Sequence, residues 1–148
     1  MIELRRLTDI DRLMKWRREV LENVFGSEPD VALLAANRRF YAEHVPDGTH
    51  FAVIACRNGE EAGCGAVCFY DELPSPDNHS GRCAYIMNVY VRPAFRHEGV
   101  ATSILRHLIQ EARAGNCGKI YLETTDMGRS VYNEVGFMDM KDMMKYED

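Results

Sequence analysis

The chain has no close cysteine pair, no leader-like start, no long apolar run and no excess of basic residues. Its five cysteines, Cys56, Cys64, Cys68, Cys83 and Cys117, are an odd number, and none has the short-spaced partner and second pair that a zinc site needs. No metal is expected. Cys64 and Cys68 lie four apart in a strand-like run and so share a face, which suits small buried hydrophobes in a reducing compartment. Met1 to Arg6 lacks an apolar stretch after its basic residues, so a secretory leader is not expected. The longest apolar runs fall well short of a bilayer crossing. These absences predict a cytoplasmic protein with no membrane partner. A formal net charge of −5 argues against bulk nucleic-acid binding, which requires a basic footprint. A local basic pocket for a phosphorylated small molecule stays compatible with it.

What is present is the makeup of an ordinary folded domain. The 148 residues are 46% hydrophobic and 28% charged, enough for one core, and no linker or repeat divides them. We expect a single domain over residues 1–148. Ile2 to Leu7 reads as a strand. Thr8 is the expected N-cap of a first helix, with Asp11 completing a weak capping box. Gly26 to Asp30 is a breaker cluster, and Val31 to His44 reads as a second helix.

His50 to Cys56 and Ala62 to Tyr70 are strand-like and joined through Asn58-Gly59, a strong hairpin signal. Asp71 to Gly81 is a loop, and Arg82 to Val91 a third long strand. Helical periodicity resumes at Val100 and ends at Gly115-Asn116. Lys119 to Thr124 is another strand, a short helix ends at Gly136, and Phe137 to Tyr146 is expected to add one or two more. Met138, Met140, Met143 and Met144 there read as strand and core residues. His44, His50, His79 and His107 are scattered and are assigned to surface or cap positions. This order predicts a mixed α/β fold, with helices on both faces of a mixed sheet.

Two segments carry chemistry. Val89-Tyr90-Val91-Arg92-Pro93-Ala94-Phe95-Arg96-His97-Glu98-Gly99-Val100-Ala101 runs from a strand through a proline-containing turn into a helix. Arg96, Gly99 and Ala101 match the pattern Arg/Gln-x-x-Gly-x-Gly/Ala. A helix N-terminus leaves backbone N–H groups unpaired at the positive end of the helix dipole, and small residues let a pyrophosphate come close. Arg96, His97 and, upstream, Arg92 are candidates to add positive charge. The same residues also suit a plain tight turn with solvated arginines. The second segment, Gly128 to Phe137, sets Tyr132 in a short helix before Gly136 and Phe137. Gly136 reads as a cap and Phe137 as core, while Tyr132 is either a core aromatic or a functional phenol.

With both motifs in this order, the chain resembles the GNAT (GCN5-related N-acetyltransferase) family over nearly its whole length, most specifically from Ile86 to Leu108 and from Lys119 to Phe137. The resemblance implies a mostly antiparallel sheet of six or seven strands with a V-shaped split for an acyl-CoA. It implies that Val89, Tyr90 and Val91 offer backbone bonds to the pantetheine arm, and that Arg96, His97, Glu98, Gly99, Val100, Ala101 and Thr102 hold the pyrophosphate of acetyl-CoA. Tyr132 corresponds to the tyrosine that protonates the departing thiolate. Many members carry an asparagine where this chain has Thr125, which can cap the short helix and donate a hydrogen bond. Gly128 replaces a frequent alanine.

The implied activity is N-acetyl transfer from acetyl-CoA to a primary amine by direct attack, with no metal. A catalytically idle acyl-CoA-binding sensor or regulatory module is the alternative. A backbone N–H near Val89 is expected to serve the oxyanion. The base stays open between Glu123 and a water chain, with Tyr85 and Asn88 as further residues of the cleft. The acceptor, an unidentified small amine or peptide amine, is expected near Leu21 to Val31 and Met138 to Lys145. A homodimer is compatible with these features.

Overall fold

The computed structural model describes all 148 residues. Five strands form one sheet in the order β1-β2-β3-β4-β5: β1 Ile2–Arg6, β2 His50–Arg57, β3 Glu60–Asp71, β4 Arg82–Val91 and β5 Lys119–Leu122. The first four pair antiparallel and β5 joins β4 in parallel. The helices are α1 Ile10–Val24, α2 Val31–His44, α3 Val100–Ala114 and α4 Arg129–Val135, and a 3-10 turn covers Pro93–Phe95.

Side-chain alternation along the strands feeds two cores, one on each sheet face. Leu13, Trp16 and Val20 of α1 and Tyr41 of α2 pack with Ala52, Ile54, Cys64, Ala66 and Tyr90. On the opposite face Val100, Ile104, Leu105 and Leu108 of α3 pack with Val53, Val67, Ala84 and Ile86. The expected layering of helices on both faces is therefore present. Its local signals hold as well. Asn58 and Gly59 both take positive φ, 51° and 84°, the geometry of a type I′ hairpin turn. Asn116 closes α3 at φ 60°.

Three expectations are corrected. Asp9 caps α1 in place of Thr8: its carboxylate accepts from the Arg12 N–H at 3.1 Å. The sheet has five strands because Phe137 to Tyr146 forms none. Met138, Met140, Met143 and Met144 are 86%, 47%, 55% and 99% exposed. Between Phe137 and Tyr146 that segment is methionine, aspartate and lysine without β-branched residues, and the edge it would have joined, β5, is only four residues long. His50 is buried at 3% exposure beneath the rings of Phe40 and Tyr41. None of the helices is long and apolar enough to cross a membrane.

Candidate functional site

The pairing of β4 with β5 stops at Ile86↔Leu122. Beyond it β4 continues to Val91 with β3 as its only neighbour. The sheet thus opens beside Val89, as the expected split requires. Opposite Gly65 the register of β4 slips by one residue, and Asn88 there takes φ 59°. This bulge turns Asn88 towards the α1–α2 face, while Val89 and Val91 border the apolar cluster under α3.

The strand leads into the 3-10 turn and then into a loop with two left-handed residues, His97 at φ 63° and Gly99 at φ 85°. Gly99 is the N-cap of α3 and makes no side-chain cap, and the first i→i+4 bond of the helix is Ser103 N–H to Gly99 O at 3.0 Å. The N–H groups of Val100, Ala101 and Thr102 consequently have no acceptor in the helix. A Cβ on Gly99 would meet nothing within 4 Å. The ground in front of this helix end is open, as an anion site needs.

The side chains around it are not equivalent. Arg96, His97 and Glu98 are exposed. The Arg96 Nε donates to Val91 O at 3.2 Å, and Glu98 pairs with Arg57 at 3.1 Å. Val100 is buried and Tyr90 packs edge-on to Trp16, so these two present only their backbone to the split. Arg92 is turned away. Its guanidinium lies over Trp16 at 4.2 Å and grips Glu19 through two bonds of 3.0 and 2.9 Å. Those hydrogen bonds hold the Glu19 carboxyl below its usual range against the opposing effect of burial. Arg92 locks α1 to the end of β4 and adds no charge to the helix end.

Tyr132 stands half-buried on α4 beside the same cluster as Val89, Val91 and Leu122. Burial pushes its phenol upward, so it is protonated at neutral pH. Its hydroxyl makes no hydrogen bond within the protein. The one fully buried side-chain polar atom without a partner is His50 Nε2, so the Tyr132 hydroxyl is not sealed from solvent. It borders a cleft of about 730 Å³ alongside β5, together with Glu123, Thr124 and Phe137. Gly128 makes room for the ring: a Cβ there would lie 3.0 Å from Tyr132 Cε2 and 3.2 Å from Thr124 Oγ1. Gly136 caps α4 at φ 122°, and Phe137 packs edge-on to Tyr132. Thr125 sits in the turn before α4 and accepts from the Gly128 N–H at 3.4 Å.

Glu123 is exposed just past the end of β5, and Tyr85 is near it. Burial first, and then the Glu123 carboxylate, push the Tyr85 phenol up to about 12, which excludes Tyr85 as a base at neutral pH. Across the sheet face under α1 and α2, a second cavity of about 350 Å³ is lined by Arg17, Asn37, Phe40, His50, Met87 and Asn88, among others. Reading the sequence did not find Arg17 or Asn37. They meet Asn88 only through folding, and their spacing of 20 and 71 residues carries no local signal.

Comparison with known proteins agrees with this geometry. The model of the acetyltransferase (GNAT) family matches residues 10–137. The crystal structure of a predicted acetyltransferase with acetyl-CoA from Clostridium acetobutylicum superposes with a TM-score of 0.88 at 30% identity, covering 99% of this chain and 96% of that one. Glucosamine-6-phosphate N-acetyltransferase from Arabidopsis thaliana shares the fold, with a TM-score of 0.76 at 20% identity over 100% and 99% of the two chains. A mouse (Mus musculus) thialysine N-epsilon-acetyltransferase is 26% identical over 68 residues, 46% of this chain and 40% of that protein's length.

Proposed function

We propose, for a chain that belongs to the GNAT acetyltransferase family, that it moves the acetyl group of acetyl-CoA to a primary amine by direct attack. The observation that carries this reading is the opening of the sheet beyond Ile86 and Leu122, directly followed in the chain by the uncapped N-terminus of α3. A thioester entering there lies along the free edge of Val89, Tyr90 and Val91. The pyrophosphate meets the N–H groups of Gly99 to Thr102, where dipole and unpaired donors favour negative charge. Arg96 and His97 flank it. Glu98, neutralised by Arg57, does not oppose it.

Three demands of the reaction have residues to meet them. A backbone N–H at the Val89 bulge faces the developing oxyanion. Glu123, at the mouth of the split, takes the proton of the amine directly or through water. Tyr132 gives its proton to the departing thiolate. Its pKa is raised by burial, so it holds that proton throughout the neutral range. A sensor that only binds acyl-CoA has no use for an unsealed phenol in this place, which favours the enzyme. Thr125 contributes at the turn beneath α4.

The test is acetyl-CoA binding by calorimetry in the wild-type protein and in Gly99→Val, paired with release of free thiol across a panel of amines. Valine at φ 85° is strained, and its branch enters ground that is empty in the protein. Affinity should fall at least about tenfold, which is about 1.4 kcal/mol. Unchanged affinity in a folded variant places the cofactor elsewhere.

A further inference from the structure

Arg17 is a cation without an anion. On α1 the carboxylates next to it are all engaged: Asp11 with Arg38, Glu19 with Arg92, and Glu22 with Arg18. Its neighbours Arg12 and Arg18 have carboxylate partners, Glu61 for the first and Glu22 and Glu28 for the second. Arg17 instead donates from Nε to Asn37 Oδ1 at 2.9 Å and from Nη1 to Asn88 Oδ1 at 2.8 Å. The Asn37 amide is itself oriented by its own bond to Leu33 O at 2.8 Å. Two neutral oxygens thus hold the guanidinium in place and leave Nη2 without a partner.

The guanidinium lines the cavity of about 350 Å³, the remaining walls of which come mainly from Phe40, Tyr41 and Met87, with no aspartate or glutamate among them. A positive charge held in a cavity by neutral partners calls for an anion from outside. His50, 97% buried against Phe40 and Tyr41, forms part of the wall and has Nδ1 on Cys68 Sγ at 3.2 Å, so it brings no negative charge to the cavity. Asn88, which positions Arg17, is also the bulge residue next to Val89. The anion-binding end of the cavity therefore adjoins the place where the thioester carbonyl is proposed to sit.

We infer that this cavity is the acceptor site and takes a free α-amino acid with an apolar side chain. Its carboxylate sits on Arg17, its side chain lies against Phe40 and Met87, and its amine faces Val89. The short link through Asn88 favours an α-amine over one at the end of a long chain. The inference rests on the acyl-transfer reading above. In the reaction the ammonium first releases one proton to solvent, the neutral amine nitrogen bonds to the thioester carbonyl carbon and the carbon–sulfur bond breaks. The second proton lost from nitrogen is matched by the one delivered to sulfur, giving an N-acetylamino acid, free CoA thiol and the proton released at the start.

The experiment compares leucine, methionine and phenylalanine with their amides and with the amines that lack the carboxylate, following thiol release from acetyl-CoA. The free amino acids should exceed their amides at least about tenfold in kcat/KM. Arg17→Gln should erase that preference through KM while leaving acetyl-CoA affinity unchanged, and Arg17→Lys should restore part of it. Equal use of acids and amides, insensitive to Arg17, overturns the inference and leaves acyl transfer standing. If no amine in the panel releases thiol, the transfer reading fails. Calorimetry of leucine then decides on the cavity: binding lost in Arg17→Gln upholds the carboxylate site, and absence of binding to wild type refutes it.

Discussion

Replacing Tyr132 by phenylalanine removes one oxygen and leaves the ring's apolar contacts in place. Because the hydroxyl has no hydrogen-bond partner in the protein and is not sealed from solvent, its loss leaves no buried group unsatisfied. Stability should then change by less than about 1 kcal/mol. The chemical step should suffer far more. Removing a general acid costs on the order of 10²–10⁴ in rate, equivalent to roughly 3–5 kcal/mol of barrier. Steady-state turnover can hide part of that loss when product release is slow, so the assay is single-turnover quench of preloaded acetyl-CoA with saturating amine. A thermal melt and an acetyl-CoA titration are run on the same preparation. Full single-turnover rate with a lowered melting temperature would refute the assignment and make Tyr132 a packing residue. The pH profile adds a second check: burial raises this phenol above its ordinary value, so the alkaline fall in wild-type activity that its deprotonation causes should lie above the range of a free phenol.

Gly128→Ala should leave the fold intact, since φ −83° suits alanine, but the unfolded-chain entropy it removes, about 0.5 kcal/mol, is offset by the contacts at 3.0 Å and 3.2 Å with Tyr132 and Thr124, so urea unfolding should show little net change. The added methyl crowds Tyr132 Cε2 and should slow single-turnover transfer, and an unaltered rate would separate ring position from catalysis. His50 has its pKa lowered to about 4, chiefly by burial, so the unfolded chain binds its proton first as pH falls. Stability should therefore decline from about pH 6.5 to about pH 4, by about 3 kcal/mol in all, and His50→Leu should flatten that slope in urea titrations at several pH values. Arg17→Gln and Gly99→Val complete the set, read by substrate preference and by acetyl-CoA affinity.

Elements whose signals are local were legible before folding. α2 and β4 have the expected bounds, Asn58-Gly59 makes its turn, and the loop into α3 is where Arg96, Gly99 and Ala101 put it. The closing strands expected at Phe137 to Tyr146 are absent, because alternating methionine and aspartate imitates the period of a strand without supplying the buried face that stabilises one. His50 gave no warning of burial: its position at the start of a strand is ordinary, and Phe40 and Tyr41 cover it from another element. Arg92, upstream of Arg96 and His97, was expected to add positive charge to the helix end, yet Glu19, 73 residues away in sequence, holds it. The end of the site proposed for the cofactor is consecutive backbone and so has a signal in the sequence. The cavity proposed for the acceptor has none, because Arg17, Asn37 and Asn88 meet only through tertiary packing.

The stretch of β4 beyond Ile86 is unpaired because its partner on that side, the four-residue β5, stops at Leu122. A rim edge invites any passing strand and risks aggregation. This one is short, Met87 to Val91, and is bounded by the end of β5 on one side and the turn into α3 on the other. A slender chain bearing amides and no branches can slide in, gain hydrogen bonds that the protein left open, and close the ladder without displacing any existing bond. On the proposed placement of acetyl-CoA along this edge, amide exchange along Met87 to Val91 should slow on loading while the β3 side of the same strand stays as protected as before.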